Sequence, residues 1–460
     1  MADINLGVGG ANSAVAGGYD IDNSVKLEPD NTEMLYTGSL TAGNRRTWTI
    51  SMWVKRTELS YESAFMYSQG TYGNIRFFTD DKIVIENHNL YLITNRVFRD
   101  TSAWYHVVWV NDSTQSTASN RSKLYINGVQ ETSFSTETYM SQNEEGNVNS
   151  TSGTYIGRRS NEVKHFAGYI ADVYKVDGQA LAPTDFGEFD EDSGIWKPKA
   201  YTGGSYSTQG FHLDFSDSSD LGNDSSGENN DFLLQNITSA DQATDTPTNN
   251  FCTMNVLKGG INLSGTVYNR LPLMTEGATV VGNNSNNYTF AEATMGVTSG
   301  KWYWEMKPTV DANTLVSGAG IATNTNGGFS STSGVGNFFY HYDGNRYVNG
   351  AATGYGAAWT TNDIIGFAYD ADSWTLTCYI NNSSQGNLLA SQADLSAEFV
   401  IPYMYSYGTH TYQWNFGGYH ANSLSSPASD ANGYGTFEYA PPSGYYALCG
   451  KNLAEYGGTA

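Results

Sequence analysis

Carboxylates are the groups this chain has in numbers: 46 Asp and Glu stand against 23 Lys and Arg. A retaining glycosidase needs two of them about 5 Å apart on one strand face, hence acidic residues at alternating positions. Glu188, Asp190 and Asp192 alternate in this way, but no apolar strand flanks them, and the run reads as a solvated turn. Glu305 stands opposite Trp302 and Trp304 in Lys301-Trp302-Tyr303-Trp304-Glu305-Met306, with no evident partner carboxylate. The sequence has no G-x-S-x-G, H-E-x-x-H or Gly-rich phosphate loop, and its seven His are scattered. A carboxylate or nucleophile mechanism therefore has no support from spacing.

Hard oxygen ligands offer a second chemistry. Asp214, Asp217, Asp220, Asp224, Glu228 and Asp231 crowd one polar stretch, and carboxylates of this kind bind Ca²⁺. Asp217, Asp220 and Asp224 are the candidate ligands. The spacing is not that of an EF-hand loop, and an acidic solvated loop is the competing reading. Cys252, Cys378 and Cys449 are too few and too distant for a disulfide framework, and no C-x-x-C suggests structural zinc.

Aromatic platforms are the third possibility. Sugars stack apolar C–H faces on Trp and Tyr while their hydroxyls pair with Asn, Asp and Gln. Trp53 and Tyr72 in the first part of the chain, and Tyr342, Tyr347 and Trp359 in the second, are the candidate ligand-binding rings. Most neighbouring rings, in runs such as Asn337–Tyr347 and Tyr355–Trp359, are expected to pack in a core or against loops.

These residues need a scaffold, and the scaffold is β. In Thr47–Arg56, Trp48, Ile50, Met52 and Val54 fall on one face at period two, with Thr47, Thr49, Ser51 and Lys55 opposite. That is a half-buried strand. Trp53 stands on the polar face, either roofed by a loop or open to a ligand. Trp104–Val110 is apolar on both faces, as a central strand would be, and Asn127-Gly128 and Asp80-Asp81 signal hairpins. With 33 Tyr, 20 Phe, 10 Trp and 50 Gly, and almost no amphipathic helical runs, the chain is expected to be all-β. Fewer than about a tenth of its residues should be helical, against the usual third.

At this point the residues resemble known families. "WTISMWVKR", "WYHVVWV", "KLYINGV", "YIG" and "GYIADVYKVDGQAL", in that order, resemble the laminin-G/concanavalin-A-like jelly roll. Farther on, "GKWYWE", "GAGIAT", "NDIIGFAYDADSWTLTCYIN" and an aromatic strand at Val400–Tyr407 resemble the SPRY domain, a bent β-sandwich. The expected architecture is two tandem antiparallel β-sandwiches. A small-residue arm spans 1–22, a jelly roll 23–186, a connector packing on it 187–258, and a SPRY-like sandwich 259–455. Together the motifs resemble structural proteins of tailed bacteriophages, marine ones especially.

That resemblance implies a non-enzymatic virion appendage: a tail fibre, spike or head-surface fibre showing binding sandwiches to a host glycan or protein. It implies attachment to other virion proteins through the arm, a homo-oligomer with a trimer favoured, assembly in the host cytoplasm, and at most Ca²⁺ as a cofactor. The alternative is a polysaccharide-degrading enzyme with the jelly roll as its catalytic domain. The formal net charge of −23 argues against nucleic acid and anionic lipid. No run of about 18 apolar residues offers a membrane span, and Met1-Ala2-Asp3 does not begin a secretory leader.

Overall fold

The computed structural model describes residues 18–68, 73–159, 164–257, 273–283, 288–311, 317–323, 336–396, 398–421 and 423–457. Tyr72 and residues 1–17 of the small-residue arm lie outside them. The described residues form almost entirely antiparallel sheets with one short α-helix, Gly450–Tyr456, and they fall into two units that divide between Asn249 and Asn250. No described helix is long and apolar enough to cross a membrane.

The first unit is a sandwich of two sheets. One runs in the order Val129–Gln130, Ser122–Ile126, Tyr105–Asp112, Thr47–Arg56, Gly168–Asp177, Ser24–Leu27 and Gln242–Ala243, with Phe211–Leu213 also paired to Gly168–Asp177. The other runs Phe134–Thr138, Leu90–Val97, Lys82–Asn87, Gly73–Phe77, Ser63–Ser68, Thr154–Ile156, Met34–Tyr36 and Leu233–Gln235. Trp48, Ile50, Met52 and Val54 point into the core between them, with Trp48 edge-on to Trp109 at 4.7 Å. Burying each such side chain stabilises the fold by roughly 1.5–3 kcal/mol. The Asn-Gly hairpin forms as its residues demand: Asn127 and Gly128 both take positive φ, 50° and 78°.

The Thr47–Arg56 strand is buried on both faces, not half-buried. Its polar side is roofed by chain far downstream. Lys55 Nζ meets Asp245 Oδ2 at 2.7 Å with both groups enclosed, and Trp104 Nε1 donates to Asp245 Oδ1 at 3.1 Å. Lys26 beside it contacts Glu33 and Asp241 at 3.1 and 2.9 Å. Residues of the expected connector thus supply strands and counter-charges to the first unit as far as Asn249. Gly168 opens the Gly168–Asp177 strand at φ +138°, where a Cβ would lie 2.0 Å from the Lys55 carbonyl oxygen, so only glycine fits.

The second unit is also a two-sheet sandwich. Leu273–Thr275, Val280–Asn283, His410–Asn415, Lys301–Asp311, Ile365–Asp370, Thr375–Ile380 and Ser383–Leu389 form one sheet. Tyr288–Glu292, Val400–Tyr407, Ser317–Thr323, Asn337–His341, Asn345–Val348 and Ala351–Gly354 form the other. Trp302, Trp304 and Met306 face the core with Phe367, Leu376, Cys378 and Trp414. The hairpin across Ala371-Asp372-Ser373 pairs Ile365–Asp370 with Thr375–Ile380 in register. Alternation on Lys301–Asp311 therefore sends Tyr303, Glu305 and Lys307 to the outer face of that sheet.

Candidate functional site

The expected ligand-binding rings meet different fates. Trp53 is only 2 % exposed: its indole stacks on His106 at 4.6 Å, and Trp196 meets the edge of the His106 ring. It is a roofed core residue, not a platform. Trp359 is likewise enclosed, at 3 % exposure, against Tyr412 in the core of the second unit. Both are large apolar surfaces that downstream chain covers, so neither can meet a ligand. Tyr342 and Tyr347 stay half-buried. They flank His341, whose Nδ1 lies 2.7 Å from Asp343 Oδ1, and Tyr347 stacks on Phe339 at 4.9 Å. Burial alone would raise the Asp343 carboxyl, but the Asn345 N–H and His341 hold it below its ordinary value.

The expected Ca²⁺ ligands do not converge. Asp217 accepts from the backbone and hydroxyl of Ser219, and Asp220 accepts from the Gly222 N–H. Asp224 turns inward to the N–H groups of His212, Ser226 and Asn230. Short polar side chains satisfy their own backbone in this way throughout turn-rich loops, which leaves the carboxylates pointing apart. Among the described residues no three His, Cys, Asp or Glu assemble a cation site.

A buried histidine in the first unit shows why a serine beside a histidine is not enough for nucleophilic chemistry. His106 Nδ1 lies 2.9 Å from Trp196 Nε1, and its Nε2 lies 2.8 Å from Ser51 Oγ. An indole N–H can only donate, so Nδ1 accepts and the ring proton sits on Nε2. That proton is given to Ser51, which is therefore not activated. Burial pushes His106 down to about 3, so the ring is neutral. Trp196 reaches this seat because Gly128 has no side chain: a Cβ there would come within 2.4 Å of the indole.

The outer face of the second unit carries a partly open cleft. Its floor is Glu305 and Lys307 of one strand and Gln413 and Asn415 of the next, and His420, Ser423, Leu424 and Glu438 form its walls. Glu305 is buried and saturated. Its Oε1 accepts from the Tyr303 hydroxyl and the Tyr439 N–H, and its Oε2 from the Glu438 N–H and Asn415 Nδ2, at 2.8–3.2 Å. Burial pushes its carboxyl up to about 7 even against these four donors. Glu305 thus fastens the wall segment 436–439 to the sheet. Gln413, paired across the strands with Lys307, has its Oε1 buried without a hydrogen-bond partner. Sequence reasoning singled out Glu305 but not Lys307, Gln413 or His420, because the cleft walls come from separate loops.

Residues 27–184 match the family described as the Concanavalin A-like lectin/glucanases superfamily. Among solved structures, the SPRY domain of human HERC1 aligns at 17 % identity over 35 % of this chain and 96 % of that one, with a TM-score of 0.29. A second human SPRY domain aligns at 15 % identity over 32 % and 92 %, with a TM-score of 0.25. No curated protein matches the chain. The chain is all-β, with a concanavalin-A-like sandwich of the kind that binds carbohydrate or protein followed by a second sandwich.

Proposed function

We propose that the protein is an adhesin on the virion surface of a tailed bacteriophage, binding a neutral host-surface glycan through the outer-face cleft of its second unit. The cleft carries this reading. Gln413, half-buried on the floor, lies beside Lys307 and Ser423, which offer donors, and Glu438, whose carboxylate also accepts from Ser425, over a wall that includes Ile364 and Leu424. Mixed donors and acceptors beside a small apolar surface suit a polyhydroxylated ligand. The net charge of −23 disfavours anionic polymers. The virion setting rests on the phage-like motif order, and so do attachment through the 1–22 arm and assembly as a trimer. A single small cleft binds weakly, so several copies acting together would supply useful avidity.

Adhesion requires no catalysis, and the alternating pair Glu188 and Asp190 does not support the alternative of a polysaccharide-cleaving jelly roll. Glu188 and Asp190 both face Lys197, at 3.4 and 3.2 Å. Hydrogen bonds from the Ser193 backbone and hydroxyl hold Asp190 at about 2, too low to protonate a leaving group. The test is binding of the full chain to immobilised neutral host polysaccharide. Lys307→Ala with Gln413→Ala should weaken binding about tenfold, as expected for two lost polar contacts, with no change in melting temperature. Undiminished binding in the folded double variant removes the cleft from consideration, and release of new reducing ends by the wild type would favour the enzyme.

A further inference from the structure

We propose that Asp172, His212 and Ser225 of the first unit form a nucleophilic acyl-transfer site for O-acyl esters, an activity separate from the adhesive cleft. His212 Nε2 lies 2.8 Å from Asp172 Oδ1, and its Nδ1 lies 2.9 Å from Ser225 Oγ. An ionised carboxylate can only accept, so the ring proton faces Asp172 and the Nδ1 lone pair faces the serine hydroxyl. This is the reverse of the tautomer at His106 and the one a general base requires.

Burial grades from inside to outside in the order the chemistry needs: Asp172 is enclosed, His212 is half-buried and Ser225 is exposed. The imidazole plane is fixed by Tyr174, stacked at 4.0 Å and 8°, with Tyr206 to the side of the pair at 6.5 Å from the imidazole. Asp172 sits in the bulge where the register of Gly168–Asp177 slips against Thr47–Arg56, with φ +51°. Bulges re-aim side chains, and non-glycine residues in this backbone region cluster at functional sites. Its Oδ1 also accepts from the Tyr19 hydroxyl at 3.1 Å, while its buried Oδ2 has no hydrogen-bond partner. Ser225 is held beside the ring because its N–H donates to the His212 carbonyl and the His212 N–H donates to the Asp224 carboxylate; the same carbonyl, 3.0 Å from Ser225 Oγ, is a second acceptor for the hydroxyl, which must turn from it to Nδ1 to react.

In the reaction, Ser225 Oγ adds to the ester carbonyl as its proton passes to His212 Nδ1. The bond to the alcohol oxygen breaks, and His212 returns the proton to that oxygen. Water then adds to the acyl-serine with His212 again as base, releasing the acid and restoring the serine. Asp172 acts as a positioning residue. The Ser225 N–H is committed to the His212 carbonyl and the Ser226 N–H to Asp224, so neither stabilises the oxyanion. One missing donor of this kind lowers turnover about 10²–10³-fold. The site should therefore work slowly, fastest on activated aryl esters and more slowly on alkyl O-acyl esters such as O-acetyl groups on a surface glycan.

The test is labelling of the full chain with a fluorophosphonate and hydrolysis of p-nitrophenyl acetate. Ser225 should be the labelled residue, and Ser225→Ala, an exposed change, should abolish labelling with its melting temperature unchanged. His212→Gln should slow labelling at least about tenfold and flatten its rise with pH. The groups facing His212, namely Asp172, Asp224, Tyr19, Tyr174 and Tyr206 with Asp214 nearby, are kept in that variant, so the flattening reports on the imidazole. Asp172→Asn should shift the pH profile of labelling. Labelling of wild-type Ser225 no faster than other exposed serines, or labelling that survives in Ser225→Ala, overturns the proposal.

Discussion

The buried group Trp53, His106 and Trp196 makes the stability of the first unit depend on pH in a way that can be isolated. His106 is held neutral by complete burial, with a folded-state value near 3 against an ordinary 6.5. The unfolded chain therefore binds a proton through the range in which the folded chain does not. A depressed histidine contributes stability that is present above the unfolded value and lost as pH falls through the window from 6.5 towards 3. Between about pH 7 and about pH 5 the loss is about 2 kcal/mol, and it approaches about 5 kcal/mol below the folded value. Other groups titrate there too. Glu33, raised to about 7 by burial, changes stability with the opposite sign over part of that range. Comparing wild type with His106→Phe cancels these shared terms. Phe keeps the stack but loses the bonds to Ser51 and Trp196, so the variant should be the less stable near neutral pH. Urea titrations followed by tryptophan fluorescence should show that gap shrinking by about 2 kcal/mol on going to about pH 5. A gap independent of pH would mean that His106 is not enclosed and neutral.

Removing the carboxylate that Lys55 faces, by Asp245→Ala, should cost about 3–5 kcal/mol because an ammonium is left deep in the first unit. Calorimetry should show that unit melting earlier and the second unit unaffected. Trp53→Ala should lose about 3–5 kcal/mol in chemical denaturation, whereas a ring used only as a platform would lose little. Gly168→Ala should destabilise by at least about 2 kcal/mol, since its Cβ would strike the Lys55 carbonyl, and should lower the yield of folded protein. Tyr342→Ala with Tyr347→Ala, at half-buried rings, should lower the melting temperature only slightly.

The period-two pattern of Trp48, Ile50, Met52 and Val54 was enough to read the inner face of the first sandwich, because a strand's geometry is set by adjacent residues. The Asn127-Gly128 turn and the Ala371-Asp372-Ser373 hairpin were legible for the same local reason. The outer face was not. Lys55 and Asp245 are 190 positions apart, and His106 and Trp196 are 90 apart, so nothing near Trp53 shows what covers it. The acidic loop misled because Asp side chains that cap their own turns have the composition of a cation loop. The Asp172–His212–Ser225 group left no trace in the sequence: its members lie 40 and 13 positions apart and meet only through a bulge and a returning loop.

The lock between Lys55 and Asp245 also sets a timetable for synthesis. The match to the lectin-like family ends at residue 184, yet the first unit closes only at Asn249. At roughly 5–20 residues per second, the stretch that follows takes on the order of seconds to leave the ribosome. Throughout that interval the emerging sheet bears an uncovered ammonium and an indole. Contacts across so many positions also form slowly even once the chain is whole. A fragment ending near residue 184 would stay in that unfinished state and should aggregate through its bare sheet.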